Sequence, residues 1–107
     1  MKDGDDPKEY AVIIEHSVYD RMFQHMLFLA EVDVDAAKEL EERLYEGISS
    51  LKIFPFRNPI YENRFILPGR YRSLLIGKYH RIVYAVEGGT VYVDNIIDCR
   101  ADDGSAL

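Results

Sequence analysis

The chain has 107 residues, of which 48% are hydrophobic and 30% charged, a composition that folds as one domain rather than staying disordered. A single cysteine, Cys99, excludes an intramolecular disulfide and a multi-cysteine zinc site, and the longest apolar run, residues 26–30, is far too short to span a membrane. A net charge of −6 argues against a uniformly basic nucleic-acid binder.

Residues 1–8 read as a disordered leader, residues 9–101 as a single domain, and residues 102–107 as a flexible tail. The leader is polar and acidic, unlike a secretory signal, so a reduced cytoplasmic location is expected. Residues 10–15 are short, β-branched and apolar, which suits a strand. Ser17 followed by Asp20 imitates a capping box and predicts a helix. Val18, Met22, Met26 and Leu29 fall on its apolar face, widened by Tyr19, Phe23 and Leu27. The Met22, Met26, Phe23 and Phe28 stripe reads as core. Asp33 or Asp35 caps a second helix with Ala37, Leu40, Leu44, Ile48 and Leu51 inward and a charged outer face. Phe54-Pro55 ends it.

Residues 56–69, with Pro59, Pro68 and Gly69, form a long connection that includes a short extended stretch over 64–67. Three strands follow at 70–76, 80–86 and 90–98, punctuated by Gly77-Lys78 and Gly88-Gly89. The order strand, helix, helix, meander predicts an α+β fold, with a helical hairpin packed on one face of a twisted antiparallel sheet.

The charges are sorted along the chain. Residues 1–50 carry five basic and thirteen acidic groups, whereas residues 52–81 carry seven basic groups and the single acid Glu62. Arg72, Arg81 and Arg100 sit on neighbouring strands of the expected meander. Converging on one sheet face, they would suit phosphate; alternatively each pairs with a carboxylate such as Asp94 or Asp98. His80 has the pKa range of a general base, yet strict alternation sends it away from Arg81. His16 and His25 have no ligand-spaced partner in sequence, and Cys99 reads as a packed thiol. No metal-ligand pattern, phosphate loop or dinucleotide glycine motif occurs, so no metal and no cofactor is expected.

The stretches Ser50-Leu-Lys-Ile-Phe-Pro-Phe-Arg-Asn-Pro59, Tyr71-Arg-Ser-Leu74, Tyr79-His-Arg-Ile-Val-Tyr-Ala-Val86 and Val91-Tyr-Val-Asp-Asn-Ile-Ile-Asp-Cys-Arg100 resemble the RelE/ParE superfamily of toxins from type II toxin–antitoxin modules. The resemblance implies the order β-α-α-β-β-β with a basic concave sheet face. It also implies growth arrest, either by inhibition of DNA gyrase or by ribosome-dependent, metal-independent mRNA cleavage. A cognate antitoxin would be the partner. In the nuclease branch the resemblance makes Arg72, Arg81 and Arg100 phosphate-binding, with Arg81 at the scissile phosphate and His80 as the candidate base. Leu74 stands where that branch has a second lysine, and no tyrosine or histidine follows Arg100. The Phe-Pro-x-Arg and Arg-x-Asp signatures lean toward the gyrase-directed branch. A non-toxic protein-binding module that retains the fold is the alternative.

Overall fold

The structure, a computed structural model, describes residues 9–99. The expected leader and tail, and Arg100, lie outside these residues. The chain runs β1 (Ala11–Ile14), α1 (His16–Ala30), α2 (Val34–Ser50), a 3-10 turn (Pro55–Arg57), β2 (Ile60–Tyr61), β3 (Tyr71–Ile76), β4 (His80–Glu87) and β5 (Thr90–Asp98). The α+β class holds, with both helices on one side of a single sheet ordered β1-β5-β4-β3-β2. The meander from β2 to β5 is antiparallel, while β1 lies parallel to β5, so the sheet is mixed. A parallel pair needs a long crossover, and the intervening chain with its helical hairpin supplies it. A bridge between Glu9 and Ile53, with the Tyr10 N–H donating to the Lys52 carbonyl at 2.8 Å, ties the start of the domain to the end of α2.

The second helix forms as its sequence dictates. Asp33 is extended and its Oδ1 accepts a hydrogen bond from the Ala36 N–H at 3.1 Å, which satisfies one of the free donors of the first turn. Leu40, Leu44 and Ile48 then recur on the buried face, and Leu51 is sealed just beyond the last turn. At Gly47 an added Cβ would run into Ile76 Cδ1, so the glycine leaves room for the Ile76 side chain between α2 and β3.

The first helix departs from expectation at both ends of the argument. It begins at His16 behind Glu15 with no side-chain cap, so the Ser17–Asp20 capping box does not form. Val18 and Met22 enter the core and Met26 and Leu29 pack against it, but Tyr19, Phe23, Leu27 and Phe28 are exposed. The apolar face is therefore wider than the sheet beneath it can cover. The core joins Val18 and Met22 to Leu40, Leu44, Ile48 and Leu51, and all of these to Ile76, Ile82, Tyr84, Val91, Val93 and Ile96 from the sheet.

A bulge in β5 decides which of its side chains reach the helices. Val83 pairs with Asn95 and Tyr84 with Val93, leaving Asp94 as the extra residue. Val91 and Val93 face the core before the bulge, and Ile96 does so after it. Asp98 shares the helix-side face with Ile96. Without the extra residue, strict alternation would turn Asp98 away. Among the described residues no helix is long and apolar enough to cross a membrane.

Candidate functional site

The register separates the two predicted arginines that the structure describes. Arg72 pairs with Tyr84 and therefore lies on the helix side, whereas Arg81 pairs with Leu75 and Ile97 on the opposite side. The two guanidiniums do not converge. In this hairpin Leu74 faces Ile82, so even-numbered positions share one face and odd-numbered ones the other, and 72 and 81 differ in parity. Arg100 lies outside the described residues.

Each arginine is held differently. Arg72 Nη1 donates to the Phe56 carbonyl at 3.0 Å and to the Asn58 carbonyl at 2.6 Å, and its guanidinium lies 5.2 Å from the Phe56 ring centroid. The same turn receives Tyr84, whose hydroxyl donates to the Pro55 carbonyl and accepts from Asn58 Nδ2 at 2.9 Å. Burial raises the Tyr84 pKa above 10.0, against the lowering effects of the Asn58 hydrogen bond and of the Arg72 and Arg57 charges. Arg72 is thus a clamp on the segment between α2 and β2. Arg81 instead donates from Nη1 to the buried Ser73 Oγ at 3.1 Å across the β3–β4 pair, leaving the rest of its fork available.

The sheet face turned away from the helices is largely apolar. Tyr71, Leu75, Val83, Ala85, Tyr92, Ile97 and Ile13 lie on it with Ser73 and Asn95, and Arg81 is its one cation among the described strand residues. The basic face expected from the sequence resemblance is not formed by these residues. Arg70, just before β3, is paired with Glu87 at the sheet's end.

The structure assembles a cluster that the sequence reading did not. His25 from the middle of α1, His80 from the first position of β4 and Asp98 from the last position of β5 meet with their potential ligand atoms all within 4.8 Å of one another. The two imidazole centroids are 5.4 Å apart and tilted by 54°. They open into a groove of about 390 Å³ walled by Gln24, Phe28, Leu29 and Val32. Burial lowers the His25 pKa from 6.5; Asp98 raises it in opposition, and Arg21 lowers it further. His80 pairs directly with Asp98 in the β4–β5 ladder, on the face away from Arg81, as alternation requires. The reading of His25 as partnerless is corrected. Its partners are 55 and 73 residues away, and only the helix-on-sheet packing and the bulge unite them.

Beside this groove α1 presents an uncovered stripe. Tyr19, Phe23 and Leu27 recur at four-residue spacing, and Phe28 and Val32 are 72% and 81% exposed. A second apolar hollow lies between Tyr10, Phe54, Phe56 and Arg57. Phe54 holds φ at 55° directly before Pro55, a strained backbone for a bulky residue.

No protein-family model and no curated protein matches this sequence. Solved structures do. A chain of the chromosomal ParDE TA system from P. aeruginosa superposes with a TM-score of 0.62 at 14% identity, covering 85% of this chain and 97% of that one. A mutant of the E. coli toxin RelE in the free state, with two arginines replaced by alanine, aligns with a TM-score of 0.46 at 16% identity over 92% of each chain. The fold of this chain, a helical hairpin on a five-stranded sheet, is therefore similar to that of the ParDE chain.

Proposed function

We propose that the chain is the toxin of a type II toxin–antitoxin pair, acting on a protein target such as DNA gyrase and held inactive by a cognate antitoxin. The observation that carries this reading is the uncovered α1 stripe of Tyr19, Phe23, Leu27 and Phe28 on a fold shared with the ParDE structure. Exposed apolar surface of this continuity needs a partner, and an amphipathic antitoxin segment is the partner whose chemistry fits. Ribosome-dependent mRNA cleavage is the weaker reading. It asks for several cations and an acid–base group around one phosphate, and here Arg81 is separated by the sheet from both Arg72 and His80. What favours it is Arg81, half-buried with one donor given to Ser73, at the position that resembles the phosphate-binding arginine.

Induced expression of the chain alone, compared with co-expression of the product of the adjacent gene, tests the toxin role. Growth arrest that the second protein relieves is expected. Supercoiling by gyrase and cell-free translation with transcript mapping, run on the same preparation, then separate the targets. Loss of supercoiling with intact transcripts supports the reading, and cleaved transcripts with normal supercoiling replace it by the nuclease. Normal growth with abundant folded protein points to a non-toxic binding module.

A further inference from the structure

We propose that His25, His80 and Asp98 bind one divalent transition-metal ion of the zinc class, as three protein ligands with a fourth position open to the groove. The donors are two imidazoles and one carboxylate, a set that suits zinc and its neighbours rather than magnesium or calcium, which take oxygen ligands. They come from three separate elements, a helix and the ends of two adjacent strands, so the cluster is not the by-product of one local charge run. Their donor atoms lie within 4.8 Å of one another. Neighbouring ligands in a tetrahedral zinc shell are about 3.4 Å apart, so each side chain has to move inward by only about 1 Å.

The surroundings favour such an ion. The β5 bulge turns Asp98 to the helix side, where it faces His80 across the ladder and His25 above it. Phe28, Leu29 and Val32 make the groove wall beside the cluster apolar, and Gln24 in the same lining offers an amide for hydrogen bonding to a ligand or a bound water. Three protein ligands and an open position are the pattern of a site that binds a further donor, whereas a closed four-ligand shell is purely structural. A bound ion also links α1 to the strands beneath the apolar stripe. Partner docking and metal binding therefore adjoin, yet the metal site does not depend on the toxin reading.

The test uses the full chain after dialysis against a chelator, with zinc as the probe. Metal analysis after equilibrium dialysis should find one zinc per chain, a thermal scan should show a rise in melting temperature with zinc and none with magnesium, and cobalt in its place should give the visible absorption of a tetrahedral site. In the wild-type protein the His25 and His80 ring resonances should shift while those of His16 stay. His25→Gln and Asp98→Asn should each weaken zinc binding by about tenfold or more, with circular dichroism unchanged. His16→Gln should bind as the wild type does. Absence of binding overturns the proposal. So does binding that survives both substitutions, or ring shifts confined to His16; each would place the ion elsewhere on the chain.

Discussion

Replacing Arg72 and Arg81 separately by alanine distinguishes a structural arginine from a functional one. Arg72 donates to two carbonyls of the turn that follows α2 and covers the Phe56 ring. The bond to the half-buried Asn58 carbonyl is the costly one to lose, since hydrogen bonds to charged groups contribute about 1.5–3 kcal/mol; the exposed Phe56 carbonyl is resolvated at little expense. With about 0.5 kcal/mol for the guanidinium over the ring, Arg72→Ala should cost about 2–3.5 kcal/mol. For a domain of this size that is a fall in melting temperature of about 8–20 °C. Arg81 gives up one bond to the buried Ser73 hydroxyl, which keeps its own proton to donate, so Arg81→Ala should cost about 1–2 kcal/mol, less than Arg72→Ala. Thermal denaturation of both variants, monitored by circular dichroism, makes the comparison. Toxicity on induction supplies the second axis, on which Arg81→Ala should matter only where phosphate is the target. An Arg72→Ala protein melting with the wild type, or the two variants falling together, would refute the clamp.

Three further outcomes follow from local geometry. Tyr84→Phe leaves the Pro55 carbonyl without its donor and Asn58 Nδ2 without its acceptor inside the protein, and should cost about 1–3 kcal/mol by denaturant unfolding. Because the folded Tyr84 pKa is raised above 10.0, its contribution is complete below that pH and is lost as the pH climbs past it; alkaline stability curves of Tyr84→Phe should lack this part of the decline. Asp33→Ala removes the α2 cap and should cost about 1 kcal/mol, readable as a lower denaturant midpoint at unchanged slope.

The parts of the fold legible in the sequence are those whose signal is local. β5 runs over Thr90–Asp98, the strand-like run that follows Gly88-Gly89, and α2 starts at the Asp33 cap and stops ahead of Phe54-Pro55. Gly77 and Gly88, both at positive φ, mark the two hairpin turns for a reason visible in any sequence. What was not legible depends on pairing. The short extended segment falls at Ile60–Tyr61 rather than over 64–67, because a two-residue strand has no period of its own and exists through its bonds to β3. Phe23 and Phe28 belong to an apolar run that reads as core, and only the width of the sheet under α1 reveals that they remain outside. The convergence of Arg72 with Arg81 failed on parity, which follows once the register of the β3–β4 hairpin is known. The His25–His80–Asp98 cluster needed a bulge, and no pattern of apolar residues announced one.

The sorting of charge along the chain meets a different fate in three dimensions. Of the seven basic residues between 52 and 81, Arg70 is neutralised by Glu87, Arg72 is spent on the turn, and Lys52, Arg57, Arg64 and Lys78 lie outside the strands; Arg81 alone reaches the sheet face turned away from the helices. A polyanion bound on that face would release few counterions. For a single-stranded RNA the logarithm of the binding constant falls with the logarithm of salt by about 0.7 per phosphate neutralised, so a contact through Arg81 should give a slope near −0.7, abolished in Arg81→Ala. Fluorescence anisotropy of a labelled oligonucleotide across a salt series measures it. A slope of about −2 or steeper would mean that at least three cations act together. It would restore the converging basic surface that the register denies to Arg72, and with it the case for an RNA target. A shallow slope together with salt-tolerant binding of a protein target is the pattern expected of binding through the exposed residues Tyr19, Phe23, Leu27, Phe28 and Val32 along and just beyond α1.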